Sequence, residues 1–69
     1  MIEVFTTNVQ EKAHAEMLIK ELKQHFPQSK INIDLHDCDR VLRLEGNDFF
    51  VEKVLLLVEG QGFRCKVLD

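Results

Sequence analysis

The sequence predicts an α+β fold, with one antiparallel four-stranded sheet carrying two helices on a single face. Two periodicities and their order predict it. Apolar residues alternate over 31–35 and 63–67, and they recur with helical spacing over 15–26 and 51–58. The segments follow the order β-α-β-β-α-β. Two right-handed β-α-β crossovers interleaved in that order close into such a sheet. The 69 residues suffice for one domain, expected to span 1–69. A chain of this size buries only about 60% of its unfolded surface, so nearly every Leu, Ile and Val is needed for the core.

Residues 2–6 (Ile-Glu-Val-Phe-Thr) are β-prone and form the expected first strand. Asn8 is placed to cap the first helix, with Glu11 three residues on. That helix is expected from Val9 to Phe26, with Ala15, Leu18, Ile19, Leu22 and Phe26 on its apolar face. Glu16 and Lys20 stand four apart on the other face, and Pro27 ends the helix. Residues 30–35 form the second strand, with Ile31, Ile33 and Leu35 on one side. The turn His36-Asp37-Cys38-Asp39 leads into a third strand over 40–45, Leu42 and Leu44 inward, Val41 and Arg43 outward.

Gly46-Asn47-Asp48 breaks the chain, Asp48 being a plausible cap. A second helix is expected over Phe49–Gln61, with Val51, Val54, Leu55 and Val58 as its inner stripe. Gly62 suits the left-handed position after the helix. The last strand covers 63–68, with Phe63, Cys65 and Val67 alternating against Arg64, Lys66 and Leu68. This is the ferredoxin-like βαββαβ sandwich. Its strand directions bring Thr6–Glu11, His36–Asp39 and Gly62-Phe63 to one end of the sheet, and the second strand is expected at an edge.

Composition excludes several functions. Nine Lys and Arg are scattered among twelve Asp and Glu, for a net charge of −3. A nucleic-acid binder usually carries a basic stripe instead. The longest apolar run, residues 54–58, is far short of a membrane span. The opening Met-Ile-Glu-Val-Phe lacks the basic and apolar regions of a signal peptide. Two cysteines do not make a disulfide scaffold, so free thiols and a cytoplasmic location are expected.

The segment Val58-Glu59-Gly60-Gln61-Gly62-Phe63-Arg64-Cys65-Lys66-Val67, together with Ile31-Asn32-Ile33-Asp34-Leu35, resembles the heavy-metal-associated domain family of copper chaperones and copper-ATPase modules. The resemblance covers nearly the whole chain. It implies the ferredoxin-like fold and, in the family, Cu(I) or Zn(II) bound by a Met-x-Cys-x-x-Cys motif between strand one and helix one. Soft thiolates near a helix N-terminus suit that chemistry. Aligned on Leu18 and Leu22, the cysteine positions fall on Glu11 and His14, and the Met position on Val9. The motif is absent, so the family's metal chemistry does not carry over.

The candidate metal ligands that remain are His14, His36 and Cys38. His14 lies one turn into helix one, roughly 95° from the middle of its apolar face. A surface histidine is the plain reading, and a substitute ligand the functional one. His36-x-Cys38 on an extended strand would point both side chains one way, offering imidazole and thiolate to Cu(I) or Zn(II). A polar tight turn explains the pair without metal. Cys65 is expected to be a small core residue. His25 is about 16 Å along the helix from His14 and cannot share its ion.

No nucleophile–base pair is legible, and an enzyme is not expected. The first loop, Thr6 to Glu11, also lacks the Arg that acylphosphatases of this topology use. Several apolar residues are expected on outer faces: Phe49 and Leu56 on helix two, Met17 on helix one, and Phe5 beside Val41 on the open sheet face. On so thin a domain this surface suits contact with a protein partner or a second copy. Ordinary scattered exposure is the other reading. The expected function is a binding module without cofactor. The alternatives are a Cu(I) or Zn(II) carrier or sensor and a small-ligand regulatory domain working as an oligomer.

Overall fold

The computed structural model describes residues 1–68. The strands and helices follow in the order β1 (Ile2–Thr7), α1 (Lys12–His25), β2 (Lys30–Asp34), β3 (Val41–Glu45), α2 (Val51–Gly60) and β4 (Cys65–Val67). The sheet is antiparallel in the order β2-β3-β1-β4, with β2 and β4 at its edges. This is the α+β ferredoxin-like βαββαβ sandwich, with both helices on one face.

The core is the layer between helices and sheet. Leu18 and Leu22 of α1 and Val54 and Val58 of α2 are fully buried against Phe5, Leu42 and Leu44. Ile19, Phe26, Val51 and Leu55 pack around them as partly buried neighbours. The helical stripes therefore lie where the spacing puts them.

The register corrects one expectation. Phe5 stands opposite Leu42 in β3 and Val67 in β4. Directly paired residues share a face, so Phe5 belongs to the helix-covered face and is 0% exposed. It is neither on the open face nor part of a contact surface. With a side-chain period of two, misplacing the phase of β1 by one residue moves every side chain across the sheet. Val4, opposite Arg43, takes the open face, where Val41 is half-buried. Phe49 is corrected likewise. It precedes α2 instead of opening it, and at 7% exposure it packs into the core. Leu56 (69%) and Met17 (46%) are exposed as expected, and Phe50, which the sequence reading passed over, is 78% exposed.

Helix starts differ too. α1 begins three residues later than expected, after Glu11, and α2 begins after Phe50. Neither start has a side-chain cap. Asn8 and Asp48 are therefore not caps. The expected Glu16–Lys20 pair gives way to Glu21 with His25 at 3.4 Å. The end of α2 behaves as the sequence requires. Gly62 has φ +92°, its N–H bonds to the Glu59 carbonyl, and the Phe63 N–H reaches back to the Val58 carbonyl. Those two bonds cap the helix with a left-handed residue that glycine adopts without a Cβ clash.

Candidate functional site

Three loops meet at the end of the sheet where the sequence gathers its candidate ligands. Thr7, the last residue of β1, ties the hairpin loop down. Its N–H donates to the Asp39 carbonyl at 3.0 Å, and its hydroxyl donates to the Arg40 carbonyl at 2.6 Å. The same hydroxyl oxygen accepts the Val9 N–H at 3.3 Å, and Val9 is 0% exposed. Asn8 Oδ1 accepts the Arg64 N–H at 2.8 Å, joining the first loop to the segment before β4. The position expected to cap a helix is thus used to fasten two loops.

The hairpin loop is held in a turn. Asp34 Oδ1 accepts the His36 N–H, and Asp37 Oδ1 accepts the Asp39 N–H, as aspartates do in turns. Arg40 closes the loop in a left-handed conformation, φ +47°. Its guanidinium donates to the Leu35 carbonyl at 2.8 Å. Residues 36–39 are therefore not an extended strand, and the premise that aligned His36 with Cys38 fails.

Among the described residues the ligand atoms that converge within 4.8 Å are those of Asp37, Cys38 and Asp39. His14 and His36 are not among them, so the structure does not assemble the expected His14–His36–Cys38 set. His14 is exposed and lies against Phe63, ring centroids 5.5 Å apart. Aromatic packing is thus what the structure gives it. A lone thiol between two hard carboxylates, one of them already accepting a backbone N–H, does not match the soft donor set that Cu(I) prefers. It is also one donor short of a closed zinc site.

Cys65 is buried, as expected, opposite Thr7. Burial, and secondarily the Glu59 carboxylate, pushes its thiol up to about 12. It stays protonated at neutral pH, the opposite of an activated nucleophile or ligand. The exposed thiol is Cys38.

The other feature of functional interest lies along the β2 edge. A groove of about 550 Å³ runs there, lined by Glu16, Ile19, Lys20, Lys23 and Gln24 of α1 and by Ile31 of β2. Ile19 and Ile31 are half-buried and leave apolar surface beside a strand that has a partner on one side alone. The edge position of β2 is the one its place in the element order predicts, and Ile19 and Ile31 belong to the predicted inward faces of their elements. The groove arises because α1 does not cover the outermost strand completely. Comparison with protein-family models, curated proteins and solved structures finds no match to this chain.

Proposed function

We propose that this chain is a non-enzymatic contact module of the cytoplasm, acting through protein–protein contact or self-association, without a metal or other cofactor. The observation that carries this reading is the apolar groove between α1 and the free edge of β2. An open edge offers main-chain hydrogen bonds to an added strand, and an adjoining groove receives side chains. Exposed Phe50 and Leu56 on α2 add apolar surface elsewhere. At the far end of the sheet the Thr7 hydroxyl and the Asn8 side-chain oxygen are spent in holding three loops together. Sedimentation velocity from micromolar to millimolar concentration tests the reading. A rising weight-average mass supports it, and a strict monomer throughout counts against self-association.

A further inference from the structure

This inference rests on the contact reading and names the partner. β2 reads Lys30-Ile31-Asn32-Ile33-Asp34 and ends the sheet. The ladder shows which groups its edge offers. Met1 and Gly46 exchange both backbone bonds, at 2.7 and 2.9 Å. By alternation Leu44 and Leu42 then turn their main chain toward β1, while Arg43 and Glu45 bond to β2 at Asn32 and Lys30. Ile31 and Ile33 are left with N–H and C=O directed outward.

We propose that this edge recognises its own reverse, so that two copies join antiparallel through β2 about a two-fold axis at Asn32. In that register Lys30 faces Asp34 of the second copy and Asp34 faces its Lys30. Ile31 faces Ile33, and Asn32 faces Asn32. The outward groups of Ile31 and Ile33 match in two hydrogen-bonded pairs, and Lys30, Asn32 and Asp34 share the open face. The joint sheet has eight strands with all four helices on one side, and the contact is isologous.

Competing registers are worse for stated reasons. A slip of one residue sets Ile31 and Ile33 opposite residues whose N–H and C=O are already turned toward β3, so the outward groups no longer match. A slip of two loses both charge pairs. A slip of four sets Lys30 against Lys30 or Asp34 against Asp34. The other edge fails the same test, since β4 is three residues long and its reverse pairing puts Lys66 against Lys66. Five residues a side is a small contact, so the dimer is weak.

The test exchanges the charges. Lys30 and Asp34 are exposed, and Lys30→Glu or Asp34→Lys sets like charges opposite each other at both ends of the pairing. Each variant alone is expected to dimerise about tenfold or more weakly than the wild type. Mixing the two variants restores complementary ends and brings association back as a heterodimer. So does the double exchange K30E/D34K in one chain, which keeps the net charge at −3. Circular dichroism checks that each variant is folded. If a single variant unfolds, amide exchange of the wild type decides, with Ile31 and Ile33 amides slowing as concentration rises. A wild type that associates while both single variants associate equally well, or while those amides are unaffected, overturns the β2 pairing and leaves the contact reading standing. A wild type that stays monomeric overturns both the pairing and self-association.

Discussion

The two ends of the sheet are held by different chemistry. Where the sequence gathers His14, His36 and Cys38, the loops are tied by hydrogen bonds through Thr7, Asn8 and Arg40. At the opposite end, Phe26 and Phe49 meet edge to face with centroids 6.1 Å apart, and Lys53 Nζ lies 5.7 Å from the centre of the Phe26 ring. Ser29 is buried beside Gly46 so closely that a Cβ at Gly46 would collide with its hydroxyl. The first end is a polar lacing of backbone groups, and the second is an extension of the core. At the first end Thr7, Asn8 and Arg40 are occupied in structural bonds, while His14, His36 and Cys38 stay exposed. The surface left open lies along a sheet edge between the two ends.

The largest expected effect comes from the apolar end. Phe49→Ala removes a buried ring and leaves a cavity, and should cost about 3–5 kcal/mol in urea unfolding. A loss below about 1 kcal/mol would mean that this end is not part of the core. At the laced end, Thr7→Val keeps the shape and removes both hydroxyl bonds, leaving the Arg40 carbonyl and the Val9 N–H without partners. The expected cost is about 1–3 kcal/mol. Amide exchange should quicken in residues 35–40 and at Val9 before it quickens near Phe49, which would separate the two ends directly.

The smallest effect concerns pH. The Cys65 thiol titrates near 9.0 in the unfolded chain and at about 12 in the folded one. Above pH 9.0 the unfolded state therefore binds fewer protons than the native state. The stability from this group is complete below that pH and is lost as pH rises toward 12. The urea midpoint should fall more between about pH 8 and about pH 10 in the wild type than in Cys65→Ala. An equal fall in both would show that the thiol is not held protonated by burial. In the same protein a thiol reagent should label exposed Cys38 at once and Cys65 only on unfolding.

Much of the fold was legible because periodicity is a local signal. Leu18, Leu22, Val54 and Val58 repeat at helical spacing and face inward as read. Ile31-Asn32-Ile33 alternates and forms a half-buried edge strand, and Gly62 took the left-handed position. The candidate site was less legible. The extended geometry assumed for His36 and Cys38 gave way to a turn held by Asp34 and Asp37. Asn8, next to an apparent helix start, went to Arg64, a residue 56 positions away. A single aromatic in a β-prone run carries no mark of its face, and so Phe5 was misplaced. Phe49 and Phe50 are adjacent and identical, and nothing local says which of them turns inward.

By itself the sequence determined the element order and the lack of a Cys-x-x-Cys motif, since these follow from residue identity and short-range spacing, and that order in turn implied the edge position of β2 through the fold class. Tertiary structure decided the phase of β1, the use of Thr7 and Asn8 as ties between loops, and the exposure of Ile19 and Ile31 beside a free strand. Each of these depends on a partner distant along the chain, and only the packed sheet fixes which partner that is.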